Sequence, residues 1–294
     1  MLNTPLIFDR YQQVRERAPR ATTGMAIRDV GSLLDLVHDI DAFVFDAFGV
    51  LNVGNTLIEG ASARLRELRA LGCRIRILTN AASYDHAAAV AKFQRFGLLV
   101  AEDEIVTSRQ AAITHLDSRA WGVIAAPDDQ LSDLRCRVTR LEDDPAAYDA
   151  VDGVLFLSSS GWTDARQRVL CQSLLDAPRP VLVANPDLVA PRDDGFSLEP
   201  GHYAHLLIDK GVESVRFFGK PYPEVYQLIE ASLPGVPAAR IAMCGDTLHT
   251  DIVGAAARHW RTVLVTQDGL FAGYETRFFC EEAGLFPDWR VARI

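Results

Sequence analysis

AFVFDAFG, residues 42–49, begins with an apolar run that does not alternate and ends at an aspartate and a turn. A strand with one wet face alternates apolar and polar side chains, so an unbroken run belongs to a central strand of a parallel sheet, buried on both faces. Asp46 then sits at the carboxyl end of that strand. In open parallel sheets ligands bind at those ends, so the polar groups found there are the ones to examine for chemistry.

The pattern repeats on either side. Residues 61–72 (ASARLRELRALG) read as a helix with Leu65 and Leu68 inward and Gly72 as its stop. RIRILT (74–79) and residues 104–107 read as strands, separated by an Ala-rich helix over 85–96. Short β-rich runs alternating with helices predict a doubly wound, Rossmann-like parallel sheet, an α/β fold. From Trp121 the alternation restarts, with strands at GVIAAP (122–127), 151–157 and 181–184, and with DDPAAYD (143–149) as a loop. VRFFG from Val215, a helix from Pro223, RIAMCGD from Arg240, a helix from Asp251 and TVLVTQDG from Thr262 return to the first pattern. The expected division is a core made of residues 1–118 and 212–294 with an inserted α/β cap over 119–211, to within several residues.

Composition narrows the partners. The chain has 294 residues, 30 basic against 39 acidic, and a net charge of −9. No basic run could track nucleic acid or an anionic membrane surface. No apolar run approaches the roughly 20 residues needed to span a bilayer. The five cysteines are scattered without CxxC spacing, and the N-terminus has neither a basic start nor an apolar stretch, so the expected compartment is the cytoplasm.

Four strand ends carry matching polar groups: Asp46, then Thr79 and Asn80, then Lys220 after FFG, then Asp246 and Asp251 in GDTLHTDI (245–252). Each has a bland account. Asp46 could begin a turn, Asn80 and Asp251 could cap helices, and Lys220 could be solvated ahead of a helix whose first turn holds Pro223. Carboxylates, a hydroxyl and a lysine at four ends of one sheet are better explained as one site than as four coincidences. Asp152 precedes its apolar run, so it belongs to the start of a cap strand.

FDAFGVL (45–51), ILTN (77–80), GKP (219–221) and GDTLHTDI resemble the four ordered motifs of the haloacid-dehalogenase-like superfamily. ANPD (184–187) resembles the cap signature of its NagD-like, pyridoxal-phosphatase-like branch, and the chain is most similar to a bacterial subgroup with an aromatic two residues after the nucleophile. The resemblance spans the chain beyond its first forty residues. It implies a phosphatase of a small phosphorylated metabolite, with Asp46 as covalent nucleophile. It implies Mg²⁺ held by Asp46, Asp246 and the main-chain carbonyl of Phe48, with Asp251 acting through water or orienting Lys220. Thr79 and the amide of Asn80 would bind the phosphoryl oxygens, Lys220 would neutralise them, and Asn185 and Asp187 on the cap would read the substrate. A homodimer formed through the cap is left open.

One position departs from the phosphatase pattern. Where those enzymes place a second aspartate as general acid and base, this chain has Phe48. Such assistance is worth roughly 10²–10⁴-fold. His249, His202 and His205 are the candidates for a substitute. FDAFG is also similar to the nucleophile motif of metal-free 2-haloacid dehalogenases, which do not keep the second carboxylate pair present here as Asp246 and Asp251. A third possibility is a protein that binds a phosphorylated metabolite and barely turns it over.

Overall fold

The computed structural model describes residues 3–192 and 195–294. In chain order its strands begin with β1 (Arg28–Asp29), β2 (Ala42–Phe45), β3 (Asn52–Val53), β4 (Thr56–Leu57), β5 (Arg74–Thr79) and β6 (Ile105–Thr107). Next come β7 (Trp121–Ile124), β8 (Val138–Arg140), β9 (Gly153–Phe156), β10 (Val181–Val183), β11 (Val189–Arg192) and β12 (Gly195–Leu198). The last four are β13 (Val215–Phe217), β14 (Ile241–Gly245), β15 (Arg261–Val265) and β16 (Trp289–Val291).

All four residues of β2 are buried, and the strand's period of two divides them between two cores. Phe43 and Phe45 pack with Leu65 and Leu68 of the helix Ala61–Ala70, whereas Ala42 and Val44 pack with Val225, Tyr226 and Ile229 of the helix Pro223–Ser232. That two-sided burial places β2 inside a parallel sheet of order β1-β16-β15-β14-β2-β5-β6. The chain moves outward from β2 through β5 to β6, returns to β14 on the other flank of β2, and moves outward again. The winding reverses between β2 and β14, which is where an open sheet leaves a crevice for a ligand.

A second parallel sheet, of order β13-β10-β9-β7-β8, occupies the inserted region. Here the structure corrects two expectations. Strand β13, assigned to the returning core, pairs with β10 in this smaller sheet. β13 is an edge strand with Arg216 exposed between Val215 and Phe217, and so short a pattern does not specify which sheet it joins. The supposed loop DDPAAYD contains the helix Pro145–Asp149, whose start follows from Asp144 capping Ala146 N–H at 3.0 Å ahead of Pro145 at N1, and which buries Tyr148.

The two sheets share an apolar layer. Leu155 and Leu182 from the smaller sheet lie in one cluster with Val44, Leu78 and Met243 from the larger, while Val154, Phe156, Val181 and Val183 face a separate cluster on the far side. A helix not anticipated from the sequence, Thr4–Val14, also joins the two parts. It is capped by Asn3 and buries Ile7, Phe8 and Tyr11. Its Thr4 hydroxyl donates to Leu270 O at 2.8 Å, and its Tyr11 hydroxyl accepts from Leu188 N–H at 3.1 Å. No helix among the described residues is long and apolar enough to cross a membrane.

Candidate active site

At the switch point, β2 ends in Asp46 and β14 is followed by Asp246, with Thr79 closing β5 on the other flank. Lys220 reaches the same place from the loop after β13, a strand of the other sheet, which corrects the expectation that one sheet supplies all four groups. Its ammonium lies 2.6 Å from Asp46 Oδ1 and 2.7 Å from Asp251 Oδ1. Carboxylate oxygens of Asp46, Asp246 and Asp251 all fall within 4.8 Å of one another. Three carboxylates against one ammonium leave two negative charges in a buried place. Burial pushes the Asp46 carboxyl up to about 6 against the pull of Lys220, and burial with repulsion from Asp46 and Asp251 pushes Asp246 up to about 8.

An all-oxygen cluster of that charge fits a hard divalent cation. Asp246 is already aimed: Oδ2 accepts from Leu270 N–H at 2.6 Å and Oδ1 from the Thr247 hydroxyl at 3.1 Å. Asp251 instead spends both oxygens within the protein, on the Lys220 ammonium and on Thr247 N–H at 3.2 Å. It is placed to orient the lysine. On Asp46, Oδ1 accepts from Ala47 N–H at 2.6 Å besides meeting Lys220, so Oδ2 is the oxygen left to meet a ligand.

Glycines make this crowding feasible. A Cβ on Gly49, which has φ +77°, would fall 2.7 Å from Asp246 Oδ2, and one on Gly269 would fall 2.2 Å from the same atom. Gly269→Ala is therefore expected to keep the fold while displacing Asp246, weakening divalent-cation binding by roughly 10–100-fold. Calorimetric titration with Mg²⁺ checks it; unchanged affinity would show that the carboxylate has another way to sit.

The pocket above this cluster is lined by Tyr11, Asp46, Phe48, Thr79, Asp187, Asp246 and residues of β11, among others. Asn80 lines it too, yet its side chain is a brace. The amide oxygen accepts from Lys220 N–H at 2.7 Å, and the NH₂ donates to Lys220 O at 3.0 Å and to Asp187 Oδ1 at 2.8 Å. Asn185 does not reach the pocket. Its oxygen accepts from Asp187 N–H at 2.9 Å, and its NH₂ donates to Glu199 at 3.1 Å, so it shapes the turn that presents Asp187.

Two models of haloacid-dehalogenase-like hydrolases match the chain, one described as haloacid dehalogenase-like hydrolase over residues 43–130 and one as HAD-hydrolase-like over 217–275. Together they take in all four strand-end motifs. The chain belongs to the haloacid-dehalogenase-like hydrolases. Among its relatives, chronophin of Rattus norvegicus is 27% identical over 90% of this chain and 88% of that one. Chloroplastic phosphoglycolate phosphatase 1A of Arabidopsis thaliana is 37% identical, but the match spans only 34% of this chain and 27% of the plant protein. The structure of a possible sugar phosphatase from Cytophaga hutchinsonii superposes with a TM-score of 0.79 over 92% of this chain and 98% of that one, at 22% identity. The structure of NagD from E. coli K-12 superposes with a TM-score of 0.66 over 86% of this chain and 96% of that one, at 18% identity.

Within this hydrolase the three histidines are not placed as proton donors to the pocket. His249 is buried against the N-terminal helix, stacked on Tyr11 with centroids 5.2 Å apart and with Nε2 2.7 Å from Gln12 Oε1; burial pushes it down to about 3. His205 stacks on Phe217, and burial with Arg17 nearby pushes it down to about 3. His202 packs edge-on against Tyr203 and is likewise lowered by burial. A neutral imidazole at physiological pH has no acidic proton to give. Tyr11, Thr250 and the β11 residues line the pocket without having been singled out in the sequence; they reach it through long-range packing that no local motif marks.

Proposed function

We propose that this hydrolase is a Mg²⁺-dependent phosphatase of a small phosphorylated metabolite, with Asp46 forming an aspartyl-phosphate and the smaller sheet serving as its cap. The observation that carries this reading is the buried cluster of Asp46, Asp246 and Asp251 around Lys220, short of two positive charges. The relatives named as phosphatases support it.

Mg²⁺ held by Asp46, Asp246 and the Phe48 carbonyl would supply positive charge where phosphoryl oxygens gather. Asp46 Oδ2 attacks phosphorus; the new O–P bond forms as the ester O–P bond breaks, and the leaving oxygen takes its proton from water. The Lys220 ammonium neutralises the phosphoryl group and the Thr79 hydroxyl donates to it, while Asp251 keeps Lys220 aimed. Water then displaces Asp46 from phosphorus, releasing phosphate and restoring the carboxylate. Metal-free attack on a carbon–halogen bond is the weaker account, because it leaves three carboxylates buried together against the single Lys220 ammonium. Phosphate release from a panel of esters, with and without Mg²⁺ and beside a haloacid panel, is the test. Metal-independent halide release would overturn the proposal, and binding of esters without turnover would reduce it to a binding protein.

The raised carboxyls also set a pH dependence. A carboxyl whose folded pKa lies above its unfolded value contributes stability at low pH that is lost as pH rises through the folded value, here through about 6 for Asp46 and about 8 for Asp246. Without metal the protein should therefore lose stability between pH 5 and pH 9. Mg²⁺ binds the ionised form, so its stabilisation should be larger near pH 8.5 than near pH 5.5. Melting curves at the two pH values check this; equal Mg²⁺ shifts would contradict it.

A further inference from the structure

Three basic side chains are buried among the described residues: Arg109, Lys220 and Lys92. Arg109 has Asp129 and Asp133, and Lys220 has Asp46 and Asp251. Lys92, on the helix His86–Arg95 and 8% exposed, forms no ion pair among the described residues, and the charges that act on it, Arg192 and Arg95, are both positive. Its ammonium meets aromatic faces instead, 4.4 Å from the centroid of Phe48, 5.6 Å from Phe96 and 5.9 Å from Tyr84. Ring quadrupoles offset only part of the desolvation of an ammonium.

The place of this charge gives it a use. Phe48 lines the pocket above Asp46, while Tyr84 and Arg192 line an adjoining cleft between core and cap, together with Ser83 and Ser158–Ser160. The Lys92 ammonium packs against one ring from each, Phe48 of the pocket and Tyr84 of the cleft. The Arg192 guanidinium lies 5.3 Å from the same Phe48 ring, but it is already paired with Glu199 at 3.0 Å, so of these two cations Lys92 is the one without an ion pair among the described residues. Phe48 matters here by what it is not. A carboxylate at that position would sit within reach of Lys92 and quench it, whereas a phenyl ring leaves the cation free while packing against it.

We infer that Lys92, beside Phe48, forms a second anion subsite, which takes a further negative group on the leaving-group side of the substrate, a carboxylate or a second phosphate. The inference rests on the phosphatase reading for the name of the substrate and not for the subsite itself. It gives that substrate class a specific form: a phosphate ester with a second anion a few atoms from the ester oxygen.

The test uses the full chain with Mg²⁺ and three probes of matched length: propylphosphonate, 3-phosphonopropionate and propane-1,3-bisphosphonate. The parent should bind at least one doubly anionic probe roughly tenfold or more tighter than propylphosphonate. The carboxylate and phosphonate arms show which second anion is taken. Lys92→Met should erase the advantage without changing propylphosphonate affinity, and Lys92→Arg, which keeps the charge, should retain much of it. Equal binding of all three probes to the parent would overturn the subsite with no variant needed. So would equal weakening of all three by Lys92→Met. Turnover of the matched phosphate esters separates this from the broader reading. A Lys92-dependent binding preference with no hydrolysis leaves the subsite standing and removes the phosphatase, and hydrolysis without preference does the reverse.

Discussion

Asp46→Asn is expected to lower phosphate release by on the order of 10⁵–10⁶-fold, as removal of a covalent nucleophile does elsewhere. The amide matches the carboxylate in shape but cannot attack phosphorus. The structure also predicts how the variant differs from a misfolded one. Asp46 carries one of the three negative charges of the cluster, and its carboxyl is pushed up to about 6, so its ionisation opposes folding at neutral pH. Lys220 keeps Asp251 as a partner after the change. Without Mg²⁺ the variant should therefore melt no lower than the parent at pH 8. Activity within tenfold of the parent would remove the covalent mechanism. Lost activity with a sharply lowered melting temperature would instead mark Asp46 as a structural residue.

Phe48→Asp should act in the opposite direction. It returns a carboxylate to the position where the leaving oxygen departs and the second water arrives, a contribution worth roughly 10²–10⁴-fold when fully expressed. A carboxylate placed in an apolar pocket without partners would be costly, but here Lys92 and Arg192 already lie over the ring it replaces. Those same cations hold the new group ionised, which favours activation of water over protonation of the leaving group. The single variant should thus gain near the lower end of that range on alkyl phosphates and less on aryl phosphates, which leave without a proton. Adding Lys92→Met should enlarge the alkyl gain. A folded, Mg²⁺-binding Phe48→Asp protein that gains nothing on alkyl esters would show that another group supplies the proton.

The parts of the site that could be read from the sequence are those that a strand end marks by itself. Asp46, Thr79 and Asp246 follow buried runs with a clear stop, and the sheet brings them together at its switch point. Lys220 also follows a strand, but one at the edge of the other sheet, because Val215, exposed Arg216 and Phe217 leave the choice of neighbour to the rest of the chain. The brace from Asn80 to Lys220 spans 140 positions, and the contact from Tyr11 to Leu188 spans 177. Neither leaves a local trace. Lys92 reads as an ordinary helical lysine, since its lack of an ion pair among the described residues is a property of the packed helix and not of the sequence around it. The N-terminal helix is marked locally only by Asn3 as cap and Pro5 in its first turn, while its packing against both parts of the molecule is long-range.

The apolar layer shared by the two sheets bears on cooperativity. A lid attached only by linkers can melt or swing while the body beneath it stays intact. Here Leu155 and Leu182 are packed into the same cluster as Val44 and Met243, so separating the sheets exposes the inner face of the sheet that carries Asp46. The free energy that holds the smaller sheet down is the same free energy that keeps the nucleophile's strand dry. Unfolding of one part removes burial from the other, which favours a single thermal transition over two.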